Sequence, residues 1–357
     1  MSNNTTLVHD SNASCLYVSA FFTTVMAMIS VAAFIGNILI IAAVYKTTNL
    51  RTSTNYYYVN MAVSDFMCSI TTWPLYLTDE IITSSGSLIQ GSVATICCQL
   101  GVFGRMVSHS VSILSLVLIA VDRFIAIVFP LKAALLSGKT RRALLCATWV
   151  ISLAYYYPDI YFSRVEKVGQ LTSCVFTWSG IGMMVYYISG IVIFNITPIA
   201  TAIVIYFRIM RVLRRRMKPE SADRIGSDLQ HRRLKQNQNI MKIFISIVIV
   251  LIVCFTFFGL YVTLRVPFYD FFLKDKCNLS LGFCYFVFPF LSTLINPIIL
   301  CAFSTNFRHA MLKLCSLSFS KFGKCCSCCI KKRVSAFRRD DSLPELVSFR
   351  TASFYTD

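Results

Sequence analysis

The chain has 357 residues, of which 56% are hydrophobic and 14% charged, with a mean hydropathy of +0.65 and a net charge of +18. So few charges cannot clothe a soluble domain of this size, and lipid is the expected solvent. Fourteen Gly and nine Pro exclude a low-complexity chain, and fifteen Cys beside only four His show no metal-type array.

A helix crosses the hydrocarbon core in about 20 apolar residues. Apolar runs predict seven crossing helices, near 17–45, 56–78, 95–129, 143–163, 181–207, 240–264 and 280–301. The expected fold is therefore an all-α membrane protein. It divides into an extracellular N-terminal segment (1–16), a seven-helix bundle (17–301), an amphipathic juxtamembrane helix (302–317) and a disordered cytoplasmic tail (318–357).

The first segment carries N-x-S/T triplets at Asn3, Asn4 and Asn12 and lacks a basic leader, so the first span is expected to act as its own insertion signal. That span contains Gly36-Asn37, and the second contains Asn60-Met-Ala-Val-Ser-Asp65. The third is the least apolar at its start, with Arg105 and His109 inside it, and closes on Asp122-Arg123-Phe124. Trp149 stands in the fourth span, and Pro198 and Tyr206 in the fifth, which runs on into Arg208 to Arg216. The sixth reads Phe257-Phe258-Gly259-Leu260-Tyr261, with Arg265 one turn further; Asn278 heads another N-x-S/T triplet in the last outer loop. The seventh holds Phe290 and ends in Asn296-Pro297-Ile298-Ile299-Leu300. Asn195 heads a triplet inside a span, where a glycan acceptor has no meaning.

Beyond the seventh span, Phe303, Phe307, Met311 and Leu314 recur at helical spacing, as in a helix lying along a membrane. Cys325, Cys326, Cys328 and Cys329 follow among lysines; palmitoylation is preferred over zinc, because no second ligand pair stands nearby. Most of the 34 Lys and Arg fall on one side once the N-terminus is placed outside, and all four acceptor triplets outside the spans then face the exterior. The positive charge is a topology signal that faces anionic inner-leaflet lipid, and nucleic acid is not expected as a partner.

Polar residues inside spans are costly and usually functional. Taken in order, Asn37, Asp65, Asp122-Arg123, Trp149, Pro198, Tyr206 and Asn296-Pro297 resemble the rhodopsin-like (class A) G-protein-coupled receptor family over about residues 17–316. The resemblance implies a plasma-membrane receptor that passes binding of an extracellular ligand to a heterotrimeric G-protein, with arrestin docking on a tail phosphorylated at Ser342, Ser348, Thr351 and Ser353. It makes Asn37, Asn296 and often a sodium ion the partners of Asp65. It gives Asp122, Arg123, Tyr206 and Pro297 to the coupling switch, and it joins Cys98 to Cys174 by a disulfide. Cys97 is adjacent and would compete for that pairing. Cys15 and Cys277 are candidates for a second bridge, with Cys284 as a rival for Cys277.

Two departures bear on coupling. Leu300 stands where the family usually has a tyrosine; Phe258 stands at its tryptophan switch and its proline is missing, with Gly259 beside it as a source of flexibility. Opsin and amine-receptor readings fail, because Phe290 and Arg105 stand at the positions of their lysine and aspartate. If the resemblance holds, Arg105 faces the ligand cavity, and with Arg265 it suits an anionic ligand: a lipid acid, an organic acid or an acidic peptide. Met106, His109, Phe258, Tyr261 and Phe290 are placed in the same pocket, and Tyr76, Phe103, Tyr157 and Phe286 are further candidates. The competing reading pairs Arg105 internally with Glu80 or Asp159, lets Arg265 snorkel and makes His109 a satisfied core residue. A receptor-like protein with weak coupling is the alternative function. A transporter is less favoured, for want of internal symmetry or paired broken helices. No enzyme motif or nucleophile–base pair is present in the sequence, and no cofactor is expected.

Overall fold

The computed structural model describes residues 3–78, 91–129, 137–168, 171–178, 180–216, 238, 241–254, 256 and 279–316. Side chains are described from Phe21 onward, except those of 22–23, 73–78, 167–168, 171–173, 216, 279–286 and 288–289. The chain forms two compact units, Met1–Met311 and Leu312–Asp357. The first holds the helix bundle; in the second, residues 312–316 are helical.

The helices are α1 (Asn3–Lys46), α2 (Ser53–Thr78), α3 (Gly91–Val128) and α4 (Gly138–Phe162). Next comes α5, built of Ile181–Ile191, a π turn at Val192–Ile196, and Thr197–Arg216. Then follow α6 (Met241–Cys254), α7 (Leu279–Phe303) and α8 (Thr305–Ser316). Helix α1 starts well before residue 17, inside the segment expected to stand apart. No Gly or Pro interrupts the sequence between Asn3 and Gly36, so nothing local breaks the helix there. At Ser304 the chain turns by 109° from the end of α7 into α8.

Among the described residues, three helices are long and apolar enough to cross a membrane: Thr24–Lys46, Gly91–Val128 and Ile181–Arg215. The bent pair Phe290–Phe303 and Thr305–Ser316 passes as a fourth. Helix α2 is diluted by Asn55, Asn60 and Asp65, α4 opens on Lys139, Arg141 and Arg142, and α6 is described over a short stretch. The outward faces are oily: Val31 and Ile35 on α1, Val150 and Ile151 on α4, and Val185 and Ile188 on α5 are exposed. Apolar side chains outside and polar ones inside are the pattern a lipid solvent imposes.

Helix α3 is the axis of the bundle. It packs against α2, α4, α5 and an outer hairpin, while α1 rests on α2 and α7. Its buried residues fall on several faces, and four of them are serines (Ser108, Ser110, Ser112 and Ser115). Small side chains let the backbones approach closely. A Cβ at Gly36 would come within 2.9 Å of Pro297 Cγ, and one at Gly104 would collide with the side chain of Thr71.

The connection between α4 and α5 is an antiparallel hairpin, β1 (Ser163–Val168) and β2 (Leu171–Phe176), with Val165 opposite Cys174. Its strands, Ser-Arg-Val-Glu-Lys-Val and Leu-Thr-Ser-Cys-Val-Phe, lack strict polar–apolar alternation and are too short and polar to stand out beside the apolar runs. Strand β2 is tied to the outer end of α3 by the disulfide Cys98–Cys174, with Cα atoms 5.6 Å apart. Cys97, the expected competitor, is a free thiol. The second bridge considered for Cys15 and Cys277 lies outside the described residues.

Candidate functional site

The interior of the bundle holds a chain of buried polar groups. At its lower middle is Asp65 of α2, 2% exposed. Ser112 of α3 donates to its Oδ1 at 2.9 Å, and Asn296 of α7 donates through Nδ2 to its Oδ2 at 2.8 Å. Ser64 and Ser112 share a further hydrogen bond of 2.9 Å. A buried carboxylate is tolerated only when its lone pairs are met by donors, and here two neighbouring helices, α3 and α7, supply them. Asn296 takes the place expected of it, whereas Asn37 does not touch Asp65. Asn37 Nδ2 donates to the carbonyls of Ala33 (2.8 Å) and Thr293 (3.1 Å), and so ties α1 to α7 beside Pro297. A parallel tie joins α2, α3 and α4: Asn60 donates to Ser115 at 2.8 Å and accepts from the Trp149 indole at 2.9 Å.

A cavity of about 20 Å³ runs from this network towards the outer half of the bundle. Asp65, Ser112, Asn296, Ser292 and Thr293 line its lower part, and Arg105, Met106, Ser108 and His109 line it along α3. It has room for about one water-sized occupant. The oxygen-rich donor set around Asp65 has the chemistry that suits a sodium ion, although the Arg105 guanidinium shares the same cavity.

Arg105 is 6% exposed and lines this cavity. Its field acts on Asp159 of α4, itself buried, whose Oδ1 accepts from the Tyr186 hydroxyl at 2.9 Å. The charge partner suggested for Arg105 from the sequence is thus near it, and Tyr186, which the sequence reading did not single out, holds that partner. Met106 and Phe103 belong to an apolar cluster with Val107, Val111, Tyr156 and Phe194. Phe290 is buried. Tyr157 turns 66% of its surface outward and does not line the cavity, a consequence of its position on the outer face of α4. His109 Nε2 meets Asn195 Oδ1 at 2.8 Å. Asn195, dismissed above as a chance glycan triplet, sits in the π turn of α5 and joins that helix to α3.

At the other end of α3, Asp122 is 3% exposed and Arg123 reaches its Oδ2 through Nη2 at 2.6 Å and Nε at 3.2 Å. Thr54 of α2 donates to the same oxygen at 3.3 Å, and Arg141 of α4 lies 3.5 Å from Oδ1. A cleft of about 190 Å³ opens here between Thr52, Ser53, Asp122, Arg123 and Arg141. Tyr206 of α5 stacks on Phe244 of α6, with ring centroids 6.5 Å apart. Leu300, buried at 2%, has no hydroxyl to offer Tyr206.

Phe258, Tyr261 and Arg265 lie outside the described residues, as do Glu80, Asn278 and the cysteines Cys325, Cys326, Cys328 and Cys329. The side chains of Asn3, Asn4, Asn12, Tyr76 and Phe286 do so too.

The family described as "7 transmembrane receptor (rhodopsin family)" matches residues 36–300. The substance-K receptor of Homo sapiens is 27% identical over 310 residues, covering 86% of this chain and 75% of that receptor. The QRFP-like peptide receptor of Branchiostoma floridae is 25% identical over 295 residues, covering 80% of this chain and 75% of its own. G-protein coupled receptor 176 of Mus musculus is 25% identical over 206 residues, which is 57% of this chain and 38% of that protein. With a family match over most of its length, the chain belongs to the rhodopsin family of G-protein-coupled receptors, multi-pass proteins of the plasma membrane.

Proposed function

We propose that the chain passes the binding of an extracellular, acid-bearing ligand to a heterotrimeric G-protein. The observation that carries this reading is the Asp122–Arg123 ion pair, buried on its carboxylate side at the end of α3. An arginine held by a neighbouring carboxylate is a two-state element: it stays paired, or it is released to meet a partner. The basic stretches beyond α5 and before α6 support a G-protein on that side, with the N-terminus extracellular. All seven apolar runs are taken to cross the membrane, with α8 lying along its inner face and arrestin and lipid as further partners.

The ligand reading rests on Arg105. A buried guanidinium in the cavity of the bundle offers a carboxylate two parallel hydrogen bonds. The names of two relatives point to peptides, so an acidic peptide is the preferred form, ahead of a lipid acid or an organic acid. Asp159 balances Arg105 until such a ligand arrives. Asp65, Ser112 and Asn296 would hold a sodium ion in the lower part of the cavity; a bound cation there would neutralise the carboxylate and stiffen the resting bundle.

A second reading, a receptor that binds but couples weakly, is favoured by Leu300, which leaves Tyr206 without a hydroxyl partner on α7. G-protein activation in cells expressing wild type beside Arg123→Ala tests the first reading. A ligand-triggered or basal signal that the variant loses is expected; a well-expressed wild type that is silent towards every G-protein family would leave the second. Arg105→Ala is expected to weaken an acidic agonist by about tenfold or more, the worth of a hydrogen-bonded charge. Unchanged affinity would remove Arg105 from the ligand site.

A further inference from the structure

Asp122 has two cations, not one. Arg123 holds Oδ2 from within α3, while Arg141 approaches Oδ1 from α4 at 3.5 Å. Thr54 adds a hydroxyl to Oδ2 at 3.3 Å. Arg141 is itself positioned: its helix is capped by Ser137, which accepts from the Thr140 amide, and the buried Tyr57 side chain lies close to its guanidinium. Only 27% of its side chain is exposed, although it belongs to a basic run at the start of α4 that otherwise points outward.

This geometry decides what releasing Arg123 costs. The Asp122 carboxylate is 3% exposed, so where it stands little water reaches it to replace a lost cation. Were Arg123 its sole cation, each departure would leave an uncompensated buried charge, an expensive outcome. Arg141 stays in contact with the oxygen that Arg123 does not use, so the carboxylate remains paired in both states. We propose that Arg141 is a positioning residue for coupling: the standing counter-ion of Asp122, which lowers the cost of freeing Arg123 and thereby sets ligand-independent activity. This inference rests on the G-protein reading above.

The sign follows directly. Removing Arg141 penalises the released state more than the resting one, so Arg123 is held more tightly and basal signalling falls. The test uses the full-length receptor in cells at matched surface expression, with G-protein activation measured without ligand. Arg141→Gln is expected to lower the basal signal by about two- to fivefold, the range of a partly exposed ion pair. Arg141→Lys keeps the charge and should restore most of it. Asp122→Asn removes the group both arginines serve, so it should raise the signal, and Arg141→Gln added to it should change nothing further. A drop of the same size in the Asp122→Asn background would overturn the proposal, because Arg141 would then act on the membrane or the G-protein instead. An unchanged or raised signal in Arg141→Gln alone would overturn it as well.

If wild type and Asp122→Asn are both silent, the coupling reading fails and a second readout decides. Hydrogen exchange over residues 119–128 in purified receptor reports the freedom of this end of α3 without any G-protein. Slower exchange in Arg141→Gln than in wild type supports the counter-ion role, and equal exchange overturns it.

Discussion

Asp65 shows what a buried charge demands of its neighbours. Both of its oxygens are engaged, one by Ser112 and one by Asn296. Asn296 was legible in the sequence, because an Asn-Pro pair near the end of an apolar run is conspicuous. Ser112 was not: it is one of four buried serines on α3, and a serine in a membrane helix usually bonds to its own backbone, as Ser110 and Ser115 do. Only the packing of α2 on α3 turns Ser112 towards a carboxylate. Ser112→Ala therefore leaves Asp65 Oδ1 without this donor, at a cost of about 1–3 kcal/mol. The expected result is a lower melting temperature of the purified receptor, with Asp65→Asn/Ser112→Ala losing little beyond Asp65→Asn alone. A Ser112→Ala receptor as stable as wild type would show that water takes over the bond.

At the scale of elements, apolar runs located the helices, but not how they meet or what joins them. Runs of hydrophobic residues report burial in lipid or protein alike, so they marked helices to within a few residues at the inner ends of α1, α2 and α7. They could not see the hairpin β1–β2, whose strands are short and do not alternate in polarity, nor the π turn of α5. One extra residue in a helical turn leaves no trace in composition, yet it coincides with the Asn195 contact to His109. Close helix contacts are likewise hidden in single glycines. Gly104 of α3 leaves no room for a side chain beside Thr71 of α2, and Thr71 is too short to swing clear. Gly104→Ala should force α2 and α3 apart and destabilise the receptor by about 1–3 kcal/mol, as overpacking does. Thr71→Ala or Thr71→Gly in the same chain should recover part of it. Thermal unfolding of the three variants checks this, and a Gly104→Ala protein that melts with wild type would mean the two helices slide freely.

For the whole molecule, orientation is the property on which every functional reading depends. The argument for it is statistical: Lys and Arg gather on one side of the seven runs, and the acceptor triplets at Asn3, Asn4, Asn12 and Asn278 gather on the other. The Cys98–Cys174 disulfide adds a physical constraint, since such a bond persists only in an oxidising compartment. On the proposed orientation, the disulfide end of α3 and the hairpin face the exterior, and Asp122 and Arg123, at the opposite end of the same helix, face the cytoplasm. Glycosylation tests the topology independently of signalling. Wild type from mammalian cells should shift to higher mobility on a gel after glycan removal. Replacing Asn3, Asn4 and Asn12 together by Gln should abolish most of that shift, and adding Asn278→Gln should abolish the rest. An antibody to a tag at residue 1 should stain unpermeabilised cells, and a tag after Asp357 should require permeabilisation. The reverse staining pattern would turn the molecule over, place Arg123 outside, and end both the G-protein reading and the role argued for Arg141.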